Sequence, residues 1–584
     1  MKTKRWISIM ICTLLFICMI PVTALASDEA DTWDGSADIS WYNEQDTEFH
    51  LSTAEQLAGL AELVNNENTF ANKTIYLDND IDLSGYEWIS IGTGNNAVGY
   101  FGGNFDGQYH SVLNMKTGLS HHGLFGIIFG GTVQNLGVEN GNIILDESDS
   151  SLRIGLLADW AHNVVIRDCF TTGQITTNDI GDRHIGGLVG EAMFGTQIVG
   201  SYSSAVIESK ATEWAEAVGG LVGSWETKGE QPMIADCYFD GTITFSGGAD
   251  GMSTNVGGIL GMCFDDEPEL IIKNCMVATT DVYAPSDIDI DTGNGGMWIA
   301  WYQETGMPEN CYWPEDDRAW PACIAFGTYI SSNFTDGLYF DECGSSVTDF
   351  KADEVLTGLQ TNAGQDIEWV EGIDHPTFSW DLRNIPADYT AVETAKNNIP
   401  VDLSLYTDES VRVLNAALSN VAENMSMAQQ AEVEAMAQAI NDAVAALVYR
   451  DADYTAVDAA IAAAEALDPL NYKDFSAVED AINAVVRGKN ITEQTEVDAM
   501  AQAIEDAINA LEEKEEATSN VSDTTQTNDT EKSTSAQSEK KGSATSPKTG
   551  ADENFALIWV SVLAACAAVL TTATVYKRKR KYSK

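Results

Sequence analysis

A chain of 584 residues has room for several domains, and 31 basic against 89 acidic residues leave it at a net charge of −58. A field of that sign repels nucleic acid, which removes nucleic-acid binding from the functions to consider, and it favours a soluble, solvated surface. The ten cysteines include no CxxC pair, so neither a zinc site nor a disulfide framework is indicated.

The N-terminus reads as a leader. Lys2, Lys4 and Arg5 precede an apolar run from Ile7 to Ile20, and Ala24-Leu25-Ala26 places small residues where a signal peptidase reads. A secretory signal peptide over residues 1–26 is expected, recognised at Ala24 and Ala26 and cleaved after Ala26.

Residues 27–385 form the next region. Ser52-Thr53-Ala54-Glu55 is a capping-box pattern. It opens an amphipathic helix through Leu57, Leu60, Ala61 and Val64, suited to covering the open end of a β stack. Internal repetition then dominates. Gly123-Leu124-Phe125-Gly126 recurs as Gly155-Leu156-Leu157-Ala158, Gly187-Leu188-Val189-Gly190, Gly220-Leu221-Val222-Gly223, Gly258-Ile259-Leu260-Gly261 and Gly296-Met297-Trp298-Ile299, at intervals of 32, 32, 33, 38 and 38 residues. A second mark runs in phase, with Leu136, Cys169, Ser201, Cys237, Cys275 and Cys311 at its reference position.

Short β-branched runs between Gly, Asn and Asp are strands and turns. One repeat cannot bury its own apolar face, so neighbours must stack into a continuous core. A right-handed parallel β-helix answers this pattern best, with a β-propeller as the alternative. Phe350 to Leu359 reads as a short helix and Trp369 to Trp380 as a strand pair closing the far end. The second mark reads as an inward column wanting a small or apolar group. Stacked coils lie about 4.8 Å apart, slightly beyond the Cβ separation of about 3.5–4.5 Å that a disulfide takes. Free buried thiols are therefore expected, a strained Cys237–Cys275 bridge being the alternative. The opening helix, Phe101-Gly102-Gly103-Asn104-Phe105-Asp106-Gly107 and the Gly-Leu-Val-Gly coils resemble the GLUG-motif β-helices of bacterial surface proteins. That resemblance covers roughly residues 50–385 and implies a fold and a surface location.

Several constellations in this region bear on chemistry. Glycoside cleavage wants two carboxylates facing one groove, and with 89 acidic residues candidate pairs abound. Glu315, Asp316 and Asp317 beside Trp313 and Trp320 form the candidate ligand cluster, because aromatic faces next to carboxylates suit sugar rings. A solvated turn beside capping aromatics is the alternative. There is no HExxH and no GxSxG. His121-His122 reads as a turn, Asp182-Arg183-His184 as a loop with no serine partner, and His375-Pro376 as part of the closure. Asp287 to Gly293 starts like a calcium loop, but Thr292 and Trp298 stand where such a loop needs Gly and Glu. No metal and no cofactor is expected.

From Asp388 the composition turns Ala-rich. Asp388-Tyr389-Thr390-Ala391-Val392 recurs as Asp453-Tyr454-Thr455-Ala456-Val457, and the segment from Glu432 to Ile440 recurs at Glu496 to Ile504. Two modules are expected, 386–450 and 451–514, each a small three-helix bundle. Val433, Met436, Ile440, Ala443, Val444 and Leu447 share one helical face. The modules look like FIVAR domains, which implies a spacer or a weak binding module.

A polar Ser/Thr-rich linker over 515–545 leads to Ser546-Pro547-Lys548-Thr549-Gly550, an apolar stretch from Phe555 to Tyr576, and the basic run Lys577 to Lys581. The stretch is long enough to span a bilayer as a helix. The order of pentapeptide, apolar helix and basic tail resembles the sortase sorting signal of Gram-positive surface proteins, with Ser546 in place of the usual Leu. The resemblance implies that sortase cleaves between Thr549 and Gly550 and joins Thr549 to peptidoglycan. The expected molecule is thus a wall-anchored adhesin or display protein for host or dietary glycans or extracellular-matrix proteins. A wall-attached carbohydrate-active enzyme is the alternative.

Overall fold

The computed structural model describes residues 32–94, 98–117, 121–145, 152–177, 183–210, 216–227, 231–245, 254–265, 270–283, 294–296, 299–301, 308–315 and 344–514. The expected leader, the Asp287–Gly293 segment and the sorting signal with its apolar stretch lie outside these residues. No helix among the described residues is long and apolar enough to cross a membrane. The chain divides into two compact units, one comprising residues to Ile461 with Ala484–Ala503, the other Ala462–Asn483 with residues from Ile504.

The described strands between Glu48 and Val347 wind into a parallel β-solenoid. Strands from successive repeats pair in parallel, coil on coil, which rules out the antiparallel blades of a propeller. Among the described residues one face has seventeen strands, a second five and a third six. The five-stranded face carries Arg153–Gly155, His184–Gly186, Glu216–Gly219, Thr254–Gly257 and Asn294–Gly296. The six-stranded face carries Phe125–Phe129, Ala158–His162, Val189–Met193, Val222–Thr227, Leu260–Asp265 and Ile299–Trp301.

The register corrects the repeat alignment by one residue. Gly155 pairs with Gly186, then Gly219, Gly257 and Gly296, while Val189 pairs with Ala158 and Val222. Gly155 and Gly296 therefore stand one position earlier than the motif's first glycine. A one-residue slip reverses which side of the sheet each residue faces, so the correction decides which side chains are inward. The motif's last glycine lets the two smaller faces meet: a Cβ on Gly223 would lie 2.4 Å from the Ile185 nitrogen.

On the large face a left-handed turn residue recurs in each coil: Asn135, Asp168, Gly200, Asp236, Asn274 and Asn310 all have φ between 50° and 60°. Asn, Asp and Gly tolerate this region best. The next residue points inward, and this is the column of Leu136, Cys169, Ser201, Cys237, Cys275 and Cys311, all buried. Cys169, Cys237, Cys263, Cys275 and Cys311 are buried and none is in a disulfide. Cys169, Cys237, Cys275 and Cys311 each donate to the carbonyl two residues back, at 3.1–3.2 Å, and Ser201 does the same at 3.0 Å. At every position of the column except Leu136 a compact donor satisfies its own turn.

The helix Ala54–Asn65 buries Leu57, Leu60, Ala61 and Val64. Its N-cap is Thr53, whose hydroxyl accepts from the Gln56 amide, while Gln56 Oε1 accepts from the Ser52 amide at 2.8 Å. The N-cap is thus Thr53, one residue later than the pattern placed it, and Gln56 reaches back to the Ser52 amide and not to the N-cap's own, so the reciprocal box does not form.

The segment expected to close the far end does something else. Its helix, Asp353–Asn362, and antiparallel pair, Trp369–Val370 with Thr377–Phe378, form as expected. They lie along the outside of the large face, over the outward column Phe170, Tyr202, Tyr238, Met276 and Tyr312. Val355, Leu359, Trp369 and Phe378 are buried with that column in a second core. Burial of those aromatics holds the segment there: each large side chain removed from water contributes about 1.5–3 kcal/mol.

The first helical module has helices Thr390–Asn397, Asp408–Ser419 and Gln430–Ala445, with Val433, Ile440 and Ala443 buried and Met436, Val444 and Leu447 packed against them. Helices Thr455–Glu465, Ser476–Asn483 and Gln494–Asn509 follow.

Candidate functional site

The five- and six-stranded faces meet at a concave corner, and their outward side chains meet across it. On one wall Arg153 is level with His184 and Ala217; on the other Trp160 is level with Glu191 and Ser224. Residues either side on the second wall, such as Ala192 and Trp225, point into the core.

Contacts cross the corner from one coil to the next. The Arg153 guanidinium pairs with the Glu191 carboxylate and lies 4.3 Å from the Trp160 ring centroid. His184 Nδ1 is 2.7 Å from Ser224 Oγ and 3.9 Å from Glu191 Oε2. The Glu191 side chain is 6% exposed, that of His184 17% and that of Arg153 30%, so the corner opens to solvent on its arginine side. Burial, reinforced by the Arg153 charge, pushes the His184 imidazole down to about 4. At neutral pH the corner holds one guanidinium, one carboxylate and a neutral imidazole, and its net charge is zero.

An aromatic strip continues from it. Trp160 packs edge-on against His162 at 4.3 Å; Phe129 and Phe194 flank His162 at 5.3 and 5.2 Å, and Tyr100 joins Phe129 at 5.3 Å. Phe129 is exposed, whereas His162 is buried and neither ring nitrogen has a hydrogen-bond partner among the described residues. Burial first, then the Arg153 charge, lowers its pKa to about 4.

The corner does not form a hydrolytic triad. In such a triad the serine and the acid sit on opposite imidazole nitrogens. Here Ser224 and Glu191 both approach Nδ1, and Ser224 is fully buried.

The residues singled out in the sequence are placed as follows. His184 opens a strand and has a serine partner, against the expected partnerless loop; Ser224 is remote in sequence and meets it only through coil stacking. His121 Nδ1 lies 3.4 Å from Asp159, whose carboxylate also accepts from the His122 and Gly123 amides at 2.8 and 3.0 Å. His375, expected in a terminal closure, belongs instead to the segment laid along the large face, bonding Asp240 at 3.2 Å. Trp313 packs inside the core at 5% exposure, so its face is not offered to a sugar. Glu315 is exposed, its amide donating to Val347 at 2.8 Å; Asp316, Asp317 and Trp320 lie outside the described residues, as do Ala24, Ala26 and Ser546 to Gly550. No group of three or more metal-capable side chains occurs among the described residues. Arg153, Trp160 and Glu191 escaped notice because the one-residue misalignment put Trp160 and Glu191 at different phases.

No family profile matches the chain. Two named proteins resemble part of it. It is 27% identical over 241 residues to an immunoglobulin A1 protease of Streptococcus sanguinis, covering 40% of this chain and 12% of that protein. It is 23% identical over 216 residues to halomucin of Haloquadratum walsbyi, covering 34% of this chain and 2% of that protein. The chain thus spans only a small part of either relative. A solved Bacteroides ovatus structure named for immunoglobulin A1 protease aligns at 20% identity and a TM-score of 0.41, over 57% of this chain and 93% of that one.

Proposed function

We propose that this protein is an extracellular display protein whose solenoid recognises glycans at the corner of Arg153, Trp160, His184 and Glu191. The reading includes export through the N-terminal leader, covalent attachment to peptidoglycan by sortase at Thr549, and FIVAR-like helical modules acting as a spacer. The observation that carries it is the pairing of a charge-balanced polar corner with an aromatic strip in which Phe129 is exposed and Tyr100, Trp160 and Phe194 are half-buried. Planar guanidinium and carboxylate groups offer fixed hydrogen bonds to hydroxyls, and aromatic faces offer apolar contact to sugar C–H groups. A neutral ligand suits a corner with no net charge on a chain at −58. The activity named for the streptococcal relative is not carried over, since the match covers 12% of it.

The test is an array of glycans and matrix proteins probed with the purified protein, beside Arg153→Ala and Trp160→Ala. Saturable binding to a neutral glycan, weakened by at least about tenfold in each variant, is the expected result. Absence of binding, or binding that both variants retain, would remove the proposal.

A further inference from the structure

The segment 344–384 runs backward along the solenoid. At one end Gly344–Val347 pairs in register with Cys311–Pro314, in the last described coil. At the other, Trp380 stacks on Tyr109 at 5.9 Å, and Arg383 reaches Glu139 Oε1 and Ser111 Oγ, each at 3.2 Å. The same guanidinium lies 4.0 Å from the Phe170 ring centroid. In between, the turn column supplies anchors: Asp236 accepts from the Gly364 amide and Trp369 Nε1, and Asn274 and Asn310 donate to the Leu359 and Gly358 carbonyls. Asn384 donates to the hydroxyls of Tyr202 and Tyr238 at 3.3 and 3.2 Å. The chain leaves toward the first helical module at this early-coil end, where Met427 and Ala428 amides donate to the Ile385 and Leu382 carbonyls at 2.7 and 2.9 Å.

We infer that residues 344–384 are a tension-bearing clasp that carries force from the C-terminal side into the early coils and takes the coils of 231–314 out of the force path. A stack of parallel coils pulled from its last strand peels one coil at a time, because each set of bonds is loaded alone. Here the chain exits beside Ser111, Glu139 and Phe170, so a pull must shear the clasp interface, where charged hydrogen bonds and buried rings are loaded together. The corner of Arg153, Trp160 and Glu191 lies in the neighbouring coils, so ligand and exit are joined by a short path. The function rests on the reading that the molecule is held by its C-terminal side; the mechanics of the clasp do not depend on any ligand.

Constant-force optical tweezers on the full secreted chain test this, with no glycan and no wall material present, so a failure of the binding reading leaves the measurement unaffected. With handles at the two chain ends, the expected first event is one abrupt extension after a long dwell, as clasp and coils give way together. Losing the Arg383 and Trp380 contacts in an R383A/W380A variant shortens that dwell by at least about tenfold. A wild-type chain pulled instead by a handle at Ser346, where the clasp joins the last described coil, loads that coil first and releases its coils stepwise at lower force, which keeps the test valid if the variant misfolds. Equal dwell times for variant and wild type, or identical traces for the two handle positions, would overturn the inference.

Discussion

Asp168 ties local chemistry to the stability of the clasp. It sits in the left-handed turn column at φ 50°, where Asn is the best substitute. Burial pushes its carboxyl up to about 6, against the lowering effect of Arg167 at 3.3 Å, while Asp366 adds to the rise. Folded Asp168 therefore keeps a proton that the unfolded chain releases near 3.8. The stability it contributes is fully present below 3.8 and is lost as pH rises through about 6. His375 acts in the same direction: burial disfavours its charged ring, but the Asp240 carboxylate outweighs this and raises its pKa. The expected outcome for Asp168→Asn is a flatter pH profile. Its melting temperature overtakes the wild type's as pH rises past about 6, read by differential scanning calorimetry across that range; parallel profiles for the two proteins would refute the assignment.

At the scale of elements, the contact between the two smaller faces depends on glycine. A methyl group on Gly223 would sit 2.4 Å from the Ile185 nitrogen and 2.6 Å from the Gly190 oxygen, both backbone atoms fixed by ladders on either side. No side-chain rotation relieves that approach, so the faces must part, and with them Arg153 from Glu191 and His184 from Ser224. Gly223→Ala is expected to destabilise by about 1–3 kcal/mol or more, with Ser346→Ala, at an exposed position, within about 0.5 kcal/mol. Urea denaturation separates the two; similar midpoints would mean the faces are not closely packed.

At the scale of the molecule, the solenoid, the clasp and the first helical module have separate hydrophobic cores. The clasp core is built on the solenoid's own outward column, so these should unfold together, whereas Val392, Leu414, Val433 and Ile440 pack among themselves. The sequence contains no tryptophan between Trp380 and Trp559, so fluorescence reports the solenoid and clasp while far-ultraviolet circular dichroism also reports the helices. The expected guanidinium curves from the two probes do not coincide. Superimposable curves would show one cooperative body.

The stack itself was legible in the sequence, because parallel coils pair in register and a structural repeat therefore leaves a linear period. For the same reason the Cys/Ser column, the opening helix and the apolar face from Val433 to Leu447 could be read from spacing alone. Tertiary structure decided the rest. The exact phase of Gly155 depends on hydrogen-bond register, which a motif match does not see. The corner joins residues of two faces diagonally across coils, as in Arg153 with Glu191. The clasp joins positions as distant as Arg383 and Glu139. Such contacts obey no local period; they are selected by which outward aromatic faces remain to be buried once the coils have stacked.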